Sequence, residues 1–96
     1  MEKHDEHYFY VLSCRDGSFY AGYTNNIERR IKQHNEGKGA KYTKGRGPVS
    51  LLYSKIFNNK SDALKAEYEF KQWPRRKKEA FLIKETGGIY VAAKKL

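Results

Sequence analysis

Two charged side chains sit where a folded chain wants apolar ones, and both could do chemistry. In "IERRIKQHN" (27–35), helical spacing of about 100° per residue puts Ile27, Arg30, Ile31 and His34 on one face. Arg29 falls nearly opposite, beside Glu28 and Lys32. In "SDALKAEYEFKQW" (61–73) the same spacing gathers Ala63, Ala66, Glu67 and Phe70, with Leu64 and Trp73 flanking them and Glu69 turned outward beside Lys65. A guanidinium or a carboxylate facing a core is costly to bury alone, so it pairs, becomes neutral or holds an ion. Arg30 and Glu67 could pair with each other, or snorkel from a core edge. His34, one turn after Arg30, could equally brace a core edge by hydrogen bonding.

The rest of the composition narrows the partner. At 96 residues the chain is long enough for one modest core and not for two. Eight tyrosines, five phenylalanines and a tryptophan imply that this core is built from large rings, several with a polar end. Twenty Lys and Arg against eleven Asp and Glu leave a formal charge of +9, which favours a polyanion. Nucleic acid leads, with an anionic membrane surface as the other candidate. A single cysteine, Cys14, excludes an internal disulfide framework, and its apolar setting in "YFYVLSC" reads as a buried thiol. One Cys and three scattered His give no zinc spacing. No apolar run is long enough to span a membrane, and "MEKHDEH" is not a signal peptide, so the expected location is cytoplasmic.

The elements that must position Arg30 and Glu67 are legible in outline. "HYFYVLSC" (7–14) reads as a strand, Asp16-Gly17 as a hairpin turn, and "FYAGYT" (19–24) as the returning strand. Asn25 or Asn26 can cap a helix over 27–36 that Gly37 ends. A Gly- and Lys-rich loop (37–48) leads to a third strand over 49–57. Ser61 is the expected N-cap of a helix over 61–73, and Pro74 suits the first turn of another over 74–85, stopped by Gly87-Gly88. The order is ββαβαα, an α+β arrangement. Residues 1–6 read as a flexible N-terminus, 7–85 as one domain and 86–96 as a tail.

Five pieces in this order, "YFYVL" (8–12), "SFYAGYT" (18–24), "IERRIKQHN" (27–35), "GKGAKYT" (37–43) and the acid of "SDALKAEYEFKQW", resemble the GIY-YIG nuclease domain. The likeness is to its small stand-alone bacterial members and to the nuclease half of structure-specific endonucleases. It runs from residue 7 to about 85. Tyr8-Phe9-Tyr10 stands where the family has Gly-Ile-Tyr, and Tyr20-Ala21-Gly22 where it has Tyr-Ile-Gly, so Tyr10 and Tyr20 match the two signature tyrosines. Arg30 matches the family's essential arginine, His34 a histidine common in this branch, and Glu67 the metal-binding glutamate. Tyr8 and Ala21 depart from the pattern at positions read as structural. The literal Gly88-Ile89-Tyr90 lies after the Tyr-x-Gly and is read as coincidence.

The resemblance implies a small three-stranded antiparallel sheet flanked by helices, and hydrolysis of phosphodiester bonds with one divalent metal, Mg²⁺ or Mn²⁺. Glu67 would supply the hard oxygen ligand, and Arg30 would clamp phosphate oxygens bidentately. Tyr20 is the candidate base or water-positioning group, with Tyr10 hydrogen-bonded nearby; at an ordinary pKa near 10, the base would need positive charge beside it. Apart from the resemblance, aromatic residues in strands read as packing. His34 would hold a tyrosine or a phosphate in place. Lys38, Lys41, Lys44 and Arg46 interleave with Tyr42, a pattern suited to a nucleic-acid backbone and one stacked base, or else to a plain lysine loop. The leading expectation is a DNA endonuclease, in repair or recombination. The alternative is a nucleic-acid-binding module that cuts little by itself, or only with a protein partner supplying specificity. A ribosome-associated or protein-interaction factor would explain the charge but not the inward Arg30 and Glu67.

Overall fold

Strand β1 (His7–Ser13) carries four consecutive buried residues, Phe9, Tyr10, Val11 and Leu12. Such a run fits a strand covered on both faces, and β1 is the centre of a three-stranded antiparallel sheet. Its neighbours are β2 (Phe19–Thr24) and β3 (Ser50–Phe57), giving the order β2-β1-β3. Three helices complete the chain: α1 (Ile27–Asn35), α2 (Lys60–Gln72) and α3 (Arg75–Glu85). The fold is α+β with the expected order, in a computed structural model that describes residues 6–87. Residues 1–5 and 88–96, which take in most of the expected N-terminus and tail and the whole of Gly88-Ile89-Tyr90, lie outside the described residues.

The alternation of β1 divides the core in two. Phe9 and Val11 join Ala21, Phe70 and Leu82, with Trp73 and Phe81 packed against them from α2 and α3. Tyr10 and Leu12 face the other way and join Cys14 and Val49, with Tyr20, Ile27 and Ile31 against them. Thus α2 and α3 cover one side of the sheet and α1 the other. Cys14 is a buried free thiol, as its context suggests.

Local chemistry explains most boundaries and corrects two. Asn26 caps α1, its Oδ1 accepting from Arg29 N–H at 3.0 Å. Ser61 does not cap α2. Asn59 does, accepting from Asp62 N–H at 2.8 Å, and the helix begins one residue earlier than expected. Two asparagines and a serine compete there as caps, and Asn59, two residues before Ser61, is the one whose amide meets the helix start. Pro74 lies outside the first helical turn as the extended N-cap of α3, which starts at Arg75, and Trp73 before it is extended too, as the restriction on a residue before proline requires. Leu64, expected beside the apolar stripe of α2, is 40% exposed.

Within α2 these placements separate two apolar residues sharply. Phe70→Ala should cost about 3–5 kcal/mol in urea unfolding, since it empties a fully packed ring site, whereas Leu64→Ala should stay within about 0.5 kcal/mol. Similar losses for both would contradict the assignment of the core.

Candidate active site

Two residues that helical spacing turns inward and two tyrosines that the resemblance marks meet on the α1 side of the sheet. Tyr10 comes from the central strand, Tyr20 from the adjoining edge strand, and Arg30 and His34 from α1. The Tyr10 hydroxyl lies 2.9 Å from His34 Nε2, and both residues are only 1% exposed. Tyr20 packs its ring on His34 at 5.0 Å between centroids, and on Tyr10 at 6.3 Å. Among the described residues the Tyr20 hydroxyl makes no hydrogen bond, while the Tyr10 hydroxyl is committed. Bringing the rings this close requires missing side chains elsewhere. Gly22 is the partner of Tyr10 across the ladder, and a Cβ there would lie 2.5 Å from the Tyr10 hydroxyl. A Cβ on Gly39 would collide with His34 Nδ1 and with its backbone.

Arg30 is half-buried, and it does not pair with Glu67. Its Nη2 donates to the Gly39 carbonyl at 2.7 Å, its Nη1 to Gln33 Oε1 at 3.0 Å, and its Nε more weakly to the Tyr10 hydroxyl at 3.4 Å. All three acceptors are neutral. The guanidinium is therefore oriented without its charge being cancelled in contact. Glu67 instead accepts from Lys71 Nζ at 2.7 Å, an i,i+4 pair in the favourable orientation. Its side chain is 17% exposed and that of Lys71 46%, so a surface ammonium caps a mostly covered carboxylate. Lys71 also lies over the Tyr20 ring, 5.8 Å from its centroid, which brings this end of α2 to the edge of the cluster.

Burial pushes the Tyr10 phenol up to about 12; the Arg30 hydrogen bond opposes this, and Tyr20 and Glu67 add to it. Tyr10 is consequently a neutral donor at physiological pH. Burial, with Arg30 beside it, holds the His34 imidazole down at about 4, so the ring is neutral too. Thr43 completes the group from the loop, its Oγ1 2.8 Å from His34 Nδ1.

Several surroundings could not be read from spacing. Gly39 and Thr43 lie in the loop, which has no periodicity to mark its inward residues, and Gln33 of α1 falls at the flank of the face that Arg30 and His34 share. Lys71 was legible, four residues after Glu67. Asn35, the last residue of α1, accepts from Val49 N–H at 2.7 Å and ties the helix to the entry of β3.

Two clefts flank the cluster. A polar one of about 400 Å³ is lined by Tyr23, Thr24, Asn25, Arg29, Arg30, Gln33 and Lys60, with no acidic side chain among them. The two arginines that the wheel separates thus border one cleft. A second, of about 290 Å³, runs along Phe19, Tyr20, Tyr42, Lys71 and Lys78. Of the loop residues expected to meet nucleic acid, Lys38, Lys41 and Lys44 are exposed. Tyr42 is exposed but stacks on Tyr20 at 6.0 Å and carries the Arg46 guanidinium 4.5 Å from its ring. Arg46 also forms a short ion pair with Asp16 of the β1–β2 turn. No three His, Cys, Asp or Glu residues cluster as a metal cage among the described residues. No helix there is long and apolar enough to cross a membrane.

Comparison with known proteins gives a family match and close relatives. The model of the GIY-YIG catalytic domain matches residues 6–80. A UPF0213 protein of Bacillus licheniformis is 62% identical over 78 residues, covering 81% of this chain and 80% of that one. One from Bacillus cereus is 56% identical, covering 99% and 96%. The solution NMR structure of the UPF0213 protein BH0048 from Bacillus halodurans is similar with a TM-score of 0.58 at 52% identity, covering 95% of this chain and 96% of that one.

The neutral burial of His34 makes stability depend on pH. The imidazole titrates near 6.5 when unfolded and about 4 when folded, so between those values the unfolded chain binds the extra proton. Its contribution is complete above pH 6.5 and is lost as pH falls toward 4. In urea unfolding, the protein should lose more stability between pH 7 and 5 than His34→Gln does, with a difference of at most about 1.4 kcal/mol per pH unit. Parallel pH profiles would show that the ring is not held neutral.

Proposed function

The chain belongs to the GIY-YIG catalytic domain family, a nuclease-type superfamily, and from that premise we propose that it is a metal-dependent endonuclease acting on DNA. The observation that carries the reading is Arg30: a half-buried guanidinium, fixed by three neutral acceptors and left with its charge for an anion. A planar fork held in this way suits the non-bridging oxygens of a phosphodiester, on which charge develops during hydrolysis. Tyr20, with its hydroxyl uncommitted beside Tyr10, takes the attacking water; Tyr10 and His34 hold the wall against which it stands. The polar cleft beside Arg30 favours the adjoining backbone, and Lys38, Lys41 and Lys44 extend the positive surface. Tyr42 offers a base its stacking face only by parting from Tyr20 or Arg46.

Glu67 fits the divalent cation. It is a mostly covered hard-oxygen donor at the edge of the cluster, and a doubly charged ion can displace the exposed Lys71 ammonium from it. One carboxylate is enough for Mg²⁺, which keeps several waters. Bound there, Mg²⁺ or Mn²⁺ would neutralise charge on the reacting phosphate. The proposed location is cytoplasmic, and a protein partner that supplies specificity belongs to the same reading.

Labelled duplex, branched and single-stranded DNA, each with Mg²⁺, Mn²⁺ or EDTA, test the proposal directly. Cleavage should require the ion, and Glu67→Gln should remove it as EDTA does. Specific binding without cleavage under every condition would favour the non-cutting module.

The adjoining arginines give a sharper comparison. Arg30→Ala should lower the cleavage rate by about 10²–10³, and Arg30→Lys should not restore it, because an ammonium lacks the fork. Arg29→Ala should leave the rate at saturating DNA unchanged while reducing the salt dependence of binding by about one charge. Equal rates for the two alanine variants would reduce Arg30 to a structural residue.

A further inference from the structure

We propose that Thr43 is a positioning residue that fixes the tautomer of His34, and through it the direction of every proton between the loop and Arg30. The argument is a count of donors. Thr43 Oγ1 lies 3.1 Å from the Ala40 carbonyl oxygen, which can only accept, and the hydroxyl directs its single proton there, beside the Lys44 N–H that reaches the same oxygen at 3.2 Å. Towards His34 Nδ1, at 2.8 Å, the hydroxyl therefore presents a lone pair, and Nδ1 must carry the ring proton. A neutral imidazole has one N–H, so Nε2 is bare and accepts from the Tyr10 hydroxyl at 2.9 Å. With its proton committed, the Tyr10 oxygen has only lone pairs left, and Arg30 Nε–H donates to one of them.

The chain of donors runs one way, from Arg30 to Tyr10 to His34 to Thr43 to Ala40. The other tautomer breaks it at Tyr10. Nε2–H would face the Tyr10 oxygen beside Arg30 Nε–H, leaving the phenol proton no acceptor, and Thr43 would have to turn its proton away from the Ala40 carbonyl to meet a bare Nδ1. The site is closed to repair by water, because Thr43 and His34 are each 1% exposed. The space is closed as well: Gly39, whose carbonyl accepts from Arg30 Nη2, has no room for a Cβ against His34 Nδ1. The loop thus holds both ends of the chain, Thr43 setting the proton on His34 and Gly39 setting the guanidinium. His34 and Arg30 stand out in the sequence as polar side chains on the inward face of a helix. Thr43 has neither, and acts only by where its own proton goes.

Long-range ¹H–¹⁵N spectra of the imidazole test this without substrate. The protein should show His34 with Nδ1 protonated and Nε2 bare near pH 7, and Thr43→Ser should keep that pattern. Thr43→Val, nearly the same shape, should convert the ring to the Nε2–H form and weaken the Arg30 Nε–H signal. An Nε2–H ring in the unaltered protein overturns the proposal, whether or not the valine variant folds. So does a folded valine variant that keeps the Nδ1–H pattern. The catalytic arm alone rests on the nuclease reading: Thr43→Val should lower kcat by about 10–100-fold with little change in KM, and Thr43→Ser should recover most of it. Failure of the unaltered protein to cleave would sink that reading, while the ring spectrum would still decide the tautomer.

Discussion

A buried hydrogen bond between a strand and a helix, Tyr10 hydroxyl to His34 Nε2, is the constraint on which the arrangement turns. Neither polar group can be left unmet at this depth without a penalty of about 1–3 kcal/mol. Satisfying both fixes the distance and rotation of α1 over the sheet. Arg30 lies one turn earlier on the same helix and is aimed by the same rotation. Burial that holds the phenol and the imidazole neutral also keeps a phenolate from pairing with the guanidinium and an imidazolium from competing with it for an anion.

The loop after α1 is ordered around this bond, and does more than carry lysines. It passes Gly39 and Ala40 under the helix, turns back through Thr43, and is fastened to the β1–β2 turn. There Arg15 N–H donates to the Arg46 carbonyl at 2.8 Å, and the Arg46 side chain pairs with Asp16. Its exposed cations are consequently presented from a braced segment. Arg75 secures the same turn from α3, with its guanidinium 3.8 Å over the Phe19 ring and a bond to the Gly17 carbonyl.

What could be read in the sequence was whatever repeats or stops. Aromatic and β-branched runs mark β1 and β2, Asn26 marks the cap of α1, and helical spacing puts Arg30, His34 and Glu67 on inward faces. Ser61 misled because Asn59, just upstream, offers a rival cap with the same chemistry. The partners of the inward charges were less legible. A wheel says that Arg30 faces a core but not which carbonyl crosses over it, and Gly39 approaches from a loop with no period. Thr43 is an ordinary polar residue by composition; only distances to two fixed atoms give it a direction. Glu67 and Lys71 were within reach of simple i,i+4 reasoning, which competed with the more attractive pairing to Arg30.

The alternation of β1 gives the protein a form of error isolation. Phe9 and Val11 hold the larger core, while Tyr10 and Leu12 serve the face that carries the candidate chemistry. Changes on the first side are felt as thermodynamic loss alone, and changes at Tyr10 on the second as a loss of stability joined to altered proton placement. A slip of one residue in pairing would exchange the two sets entirely, driving a phenol into the Phe70–Leu82 layer and a phenylalanine against His34. The register that builds the sheet is thus the same one that puts the phenol beside His34.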